Sequence, residues 1–189
     1  MAEIKRFKKI VLFFGFNAVL ALVSCDDEKS AVGFKPYLGP VEEAEKIQIL
    51  YSEEGKLKVK LNTDKQIKYS NEDKIFPRPI TINFYDPTGA ITSTLRSDSG
   101  RFDSKSSIYK VMGHVVVNQL ALRRNLFTTE LYWNPATKKT YTDKAATIES
   151  QLSGEVIKGV GLDANQDFST MVMRKTSGFF NAPAGVVTN

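Results

Sequence analysis

The chain has 189 residues, a formal net charge of +5, 42% hydrophobic and 25% charged residues, one cysteine and one histidine. That length suits one domain with its own core, while one cysteine leaves no partner for a disulfide and one histidine argues against a zinc centre. Residues 1–24 hold four basic and one acidic residue, so the rest carries 22 against 20, and with no basic-aromatic cluster the high pI is no signature of nucleic-acid binding.

The first element is a basic N-terminus, Lys5, Arg6, Lys8 and Lys9, followed by the apolar run Ile10 to Val23. A spanning helix needs about 20 apolar residues. This run has fourteen, which suits the apolar core of a secretory signal. The ending Leu22-Val23-Ser24-Cys25, followed by Asp26-Asp27-Glu28, resembles the lipobox of bacterial lipoproteins. The resemblance implies that residues 1–24 are removed as a signal peptide. It also implies that the Cys25 thiol carries a diacylglycerol and that the new amine is acylated, with palmitate as the label of choice. Each buried methylene adds about 0.8 kcal/mol, so several chains hold firmly. The alternative is a buried cysteine behind an uncleaved anchor.

Residues 25–44 read as a tether, broken by Gly33, Pro36, Gly39 and Pro40, with one helical turn allowed over Val41–Lys46. From residue 45 the period is two. Ile47, Ile49 and Tyr51 alternate, and Lys56-Leu57-Lys58-Val59-Lys60-Leu61 alternates charge with apolar residue throughout. This marks strands with one wet face. Ile67 and Tyr69 continue the pattern. Ile80, Ile82 and Phe84 share a face, Gly113 to Val117 is β-branched and strand-like, and Leu131 and Trp133 alternate with Glu130 and Tyr132. Phe168 to Lys175 reads as the last strand, and residues 179–189 as a tail. Turn signals fall at Glu53-Glu54-Gly55, Asn62-Thr63-Asp64, Asn71-Glu72-Asp73, Asp86-Pro87-Thr88-Gly89, Asp98-Ser99-Gly100 and Asn134-Pro135. Each combines turn-forming residues with polar neighbours. Strands without intervening helices predict an all-β antiparallel meander, sandwich or barrel over residues 45–178.

Catalytic patterns do not emerge. His114 lies inside a predicted strand and no Gly-x-Ser-x-Gly accompanies it. Gly159-Val160-Gly161-Leu162-Asp163-Ala164 fits a dinucleotide fingerprint in letters only, since a strand and not a helix follows. The aspartates fall in turns. The reading is of no enzyme and no cofactor.

Ile108-Tyr109-Lys110-Val111-Met112-Gly113-His114-Val115-Val116-Val117-Asn118-Gln119-Leu120 resembles the core motif of the LptC family, in its Bacteroidetes-type lipoprotein form. Leu126 to Trp133, Thr142-Asp143-Lys144 and Gly159 to Phe168 follow in matching order. The resemblance spans roughly residues 45–178 and implies a V-shaped, open antiparallel β-jellyroll. Its interior would accept the acyl chains of lipid A, the membrane end of lipopolysaccharide. By alternation the groove candidates are Ile82, Phe84, Leu95, Phe102, Val115, Val117, Leu131, Trp133 and Phe168, each of which is equally a plain core residue. The implied partners are the inner-membrane ABC transporter LptB/LptF/LptG and a periplasmic LptA-like bridge protein. The bridge would pair with the last strand, with Phe168, Thr170, Val172 and Arg174 as edge candidates. The implied place is the periplasm, lipid-anchored at the inner membrane. Relatives carry an uncleaved transmembrane helix where this chain has Cys25. The rival readings are a free-standing bridge module of the same superfamily and an envelope scaffold lipoprotein that binds protein only.

Overall fold

Alternating apolar and polar residues, with β-branched side chains and no long helical period, leave the chain to pair strand with strand. The computed structural model describes residues 37–179. Cys25 and the signal segment lie outside them, as do the first part of the tether and the tail beyond Phe179. Within the unit that begins at Leu38 the strands are β1 (Pro40–Glu53), β2 (Lys56–Tyr69), β3 (Lys74–Phe76), β4 (Ile80–Tyr85), β5 (Ile91–Ser97), β6 (Ser99–Asp103), β7 (Ile108–Gln119), β8 (Arg124–Asn134), β9 (Lys139–Ser150), β10 (Val156–Asn165) and β11 (Met171–Phe179). All pair antiparallel in one sheet. Strands β3 and β4 lie end to end along β2, and β5 and β6 lie end to end along β7. The sheet is therefore a meander of nine long arms, each paired with the next in sequence.

Three expectations are corrected. Strand β1 starts at Pro40, so the last residues assigned to the tether, including the allowed helical turn at Val41–Lys46, belong to the sheet. Pairing with β2 supplies the hydrogen-bond partners that an isolated turn lacks. Asn62-Thr63-Asp64 makes no turn and lies within β2. Phe168 precedes the last strand, which runs from Met171 to Phe179.

The nine arms share a crease. In β1 the ladder is interrupted without a change of register at Lys46 (φ 54°), between the pairs Glu45–Lys65 and Ile47–Thr63. Pro77 and Pro79 separate β3 from β4, and Asp98 separates β5 from β6. The pairing of β7 with β8 shifts between Met112 and Val115, across Gly113 (φ 76°) and His114 (φ 36°). The shift continues between Thr128 and Tyr132 of β8, and between Val160 and Leu162 of β10, at Gly161 (φ 82°). Each break faces its neighbour's, so the bulges form one line across the sheet. Bulges bend strands and strengthen their twist, and a row of them folds the sheet over.

The two halves then face each other. Tyr51 from the half holding residues 47–53 meets Trp133 edge-on at 5.6 Å, and Phe84 meets Phe168 at 5.3 Å. Between them lies one core that includes Val59, Leu61, Phe76, Ile80, Val115, Val117, Leu126, Leu131 and Leu162. The result is an open antiparallel β-jellyroll.

The outside of the crease is polar. Asp98 Oδ2 lies 2.6 Å from His114 Nδ1. Arg174 spans three strands: it donates to the Thr142 carbonyl at 2.7 Å and to Asp143 Oδ1 at 2.8 Å, over the bare face of Gly161. Lys110 and Glu130 pair at 2.7 Å with side chains only 14% and 16% exposed. The Lys110 ammonium bonded to Glu130 holds that carboxyl below the usual carboxylate range, against a smaller opposing effect of burial. A depressed folded-state pKa stabilises above the ordinary carboxylate value, and that contribution disappears as pH falls through the depressed one. Glu130→Gln is therefore expected to cost about 1 kcal/mol near neutral pH and to flatten the acid limb of the stability curve. Urea midpoints measured between acid and neutral pH check this.

Candidate lipid groove and strand edges

Inward positions of both halves are set by the period of two. From the first half β4 contributes Ile82 and Phe84, β5 Leu95, and β7 Val115 and Val117, all buried. From the second half β8 contributes buried Leu131 and half-buried Trp133, and β6 half-buried Phe102. The turn between β10 and β11 contributes Phe168, fully buried. Phe102, Tyr109 and Trp133 form an aromatic ladder with centroids 4.6 and 5.2 Å apart. Burial pushes the Tyr109 hydroxyl pKa up.

A cavity of about 30 Å³ remains between the halves. Ile82, Phe84, Leu95, Leu131, Trp133 and Phe168 line it; Val115, Val117 and Phe102 do not. A space of this size has room for little more than ordered water, so side chains fill most of the interior. A lipid chain must displace some of them or part the halves. Leu61, Phe76, Ile80, Tyr109 and Thr140 also line the cavity and were absent from the sequence-based set. Leu61 and Ile80 carry the same alternation as their chosen neighbours. Phe76 gives no such signal, because its strand is three residues long. Thr140 is polar, and its burial follows only from the fold.

Two buried polar groups beside this cavity, Trp133 Nε1 and Thr140 Oγ1, find no hydrogen-bond partner among the described residues. Leaving such a group unpaired costs about 1–3 kcal/mol. A carbonyl or hydroxyl on a bound chain would meet both needs.

The lip opposite the crease carries an ionic tie. Glu53 accepts from Tyr51 Oη at 2.7 Å and from Lys138 Nζ at 2.9 Å. The hydrogen bond from Lys138, with that from Tyr51, holds the Glu53 carboxyl below its usual range, and its bond to Glu53 raises the Lys138 ammonium.

Strands β1 and β11 each pair one neighbour, β2 and β10. Among the described residues each leaves one backbone edge without a partner strand, and such an edge can template a further strand. Of the edge candidates, Val172 and Arg174 lie on β11, Val172 exposed and Arg174 turned across β10 to Asp143. Thr170 lies in the preceding turn, and Phe168 is buried in the core and away from the edge. Gly159 sits opposite Thr176, where a Cβ would strike the Lys175 carbonyl. Among the described residues no three His, Cys, Asp or Glu side chains gather as a metal site.

No curated protein matches the chain. The family model described as lipopolysaccharide-assembly, LptC-related, matches residues 45–176, from within β1 to within β11. That stretch is the folded meander itself, with the crease, the apolar interior and the core of both edges. The chain belongs to the LptC family, and is thereby a component of lipopolysaccharide transport at the periplasmic side of the inner membrane.

Proposed function

We propose that this protein takes the acyl chains of lipid A between the two halves of its jellyroll. It receives them from an inner-membrane ABC transporter of the LptB/LptF/LptG kind and passes them to an LptA-like bridge protein. The observation that carries this reading is the meander's build: one sheet folded into two facing apolar halves, with an edge strand at each end among the described residues. A similar roll can add to either edge, and head-to-tail addition makes one continuous apolar path. Edge β11, through Val172 and its neighbours, meets the bridge. The chain relays lipid and performs no chemistry; its partners supply the energy.

Cys25 is the membrane attachment in this reading, replacing the transmembrane helix of relatives. Cys25→Ala is expected to abolish metabolic labelling with radioactive palmitate. Undiminished labelling would remove the lipid anchor from the account. For the transport role, depletion of the protein is expected to leave newly made lipopolysaccharide in the inner membrane. Normal delivery to the outer membrane during depletion would contradict it. A scaffold that binds protein only is the rival, and the small cavity of about 30 Å³ favours it. The relay requires the halves to part.

A further inference from the structure

The β10–β11 turn closes the lip opposite the crease in an unusual way. Phe168 N donates to the Asn165 carbonyl at 3.0 Å, which places Phe168 at φ 59°. This is the left-handed region, where turns favour glycine or asparagine and a bulky residue is an outlier. Seven other non-glycine residues among those described share a positive φ, and all seven are exposed. Phe168 alone of these is fully buried. Strained backbone persists where surrounding contacts over-determine it, and such positions concentrate at clamps and switches.

Those contacts come from the opposite half of the sheet. The Phe168 ring meets Phe84 of β4 at 5.3 Å, nearly perpendicular. The Phe168 carbonyl accepts from Gln119 Nε2 at 2.8 Å, and the Asp167 carbonyl accepts from Ser93 Oγ at 3.0 Å. Gln119 and Ser93 are both buried, on β7 and β5. A single hairpin tip thus bolts one half of the roll to the other with two hydrogen bonds and an aromatic plug. The plug lines the same cavity as Trp133 and Leu131. The tip joins β10 to the edge strand β11, so its release breaks no long-range pairing of the inner strands.

We propose that the β10–β11 turn is a latch holding the two halves shut, and that Phe168 occupies the place an acyl chain takes when they part. The second clause rests on the lipid-relay reading above; the first stands without it. Exchange of one apolar group for another conserves the buried apolar surface, so an acyl chain displaces the ring at little cost. The displaced turn also relaxes its backbone. The latch explains how a roll with a filled interior serves a lipid.

The test uses the full-length protein, whose one tryptophan is Trp133. Acrylamide quenching of Trp133 reports opening without any ligand. Phe168→Gly relieves the backbone and removes the plug, and is expected to raise the quenching constant about twofold by shifting the population toward the open roll. Ser93→Ala removes one bolt, leaves Phe168 in place, and should give a smaller rise; it decides the matter if Phe168→Gly loses its strand signal in circular dichroism. Unchanged quenching in the folded variants overturns the latch. In parallel, a photo-crosslinking residue at Leu131, which borders the same cavity as Phe168, is exposed to purified lipopolysaccharide, and the adduct is expected to increase in Phe168→Gly. Raised quenching with no adduct in any chain supports the latch and removes the lipid reading. Raised quenching with equal adducts in wild type and Phe168→Gly overturns the assignment of Phe168 to the acyl position.

Discussion

Phe76→Ala is expected to lower stability by about 3–5 kcal/mol, the range for large-to-small changes at filled core sites. Phe76 is 1% exposed although it sits in a strand of three residues. It pairs with Gly100, lines the central cavity and lies one residue from Pro77, where the arm breaks at the crease. The prolines restrain the backbone on either side of Arg78, so the site has little freedom to collapse around a lost ring. A domain has about 5–15 kcal/mol in total, so the variant should be partly unfolded at ambient temperature. Its neighbour Ile75, 39% exposed on the other face, provides the control. Ile75→Ala should lose well under half as much. Guanidinium midpoints measure both, and equal losses would show that Phe76 is not part of the filled interior.

Gly113→Val should be nearly as damaging, for a different reason. Gly113 has φ 76°, and a Cβ there would stand 2.5 Å from Asp98 Oδ2 and 2.9 Å from Asp98 Cβ. The left-handed conformation alone costs a non-glycine residue about 1–2 kcal/mol. Asp98 must also move, and with it goes the contact to His114 at 2.6 Å. The combined loss should reach about 2–4 kcal/mol, within the span of strained-backbone mutants. Asp98→Gly in the same chain removes the obstruction but not the dihedral cost. It should recover part of the loss, giving a favourable coupling of about 1 kcal/mol in a double-mutant cycle. Strict additivity would mean that the crease accommodates a side chain at Gly113 without touching Asp98.

Much of the meander was readable from alternation, since a half-buried antiparallel strand writes its two faces into the residue order. The crease was not. Asn62-Thr63-Asp64 and Asp98-Ser99-Gly100 carry the composition of turns, yet at both the chain runs on across the crease. A residue that tolerates bends serves a hairpin or a fold line equally well, and only the pairing partner distinguishes them. Gly39 and Pro40 suggest a tether where β1 begins; an edge strand tolerates such residues at its start, having one side free. By residue pattern alone Phe168 opens the last strand. Its position in a left-handed turn is fixed by Gln119, Ser93 and Phe84, residues 49 to 84 positions away in sequence. Seven of the nine groove candidates fell on buried positions, because inward alternation predicts burial. Which of them border free space depends on how the halves cross, and local pattern is silent on that.

The central claim is that the inward face of this folded sheet contacts lipid. Photo-crosslinking residues placed singly at Val115, Val116, Val117 and Asn118, followed by detection of lipopolysaccharide adducts in cells, test it most directly. Val115 and Val117 point inward and are buried, whereas Val116 is half-buried and Asn118 exposed on the other face. The account predicts adducts at Val115 and Val117 and none at Val116 and Asn118, so that the period of the strand reappears in the chemistry. Equal adducts on both faces, or protein adducts alone from the inward positions, would contradict it.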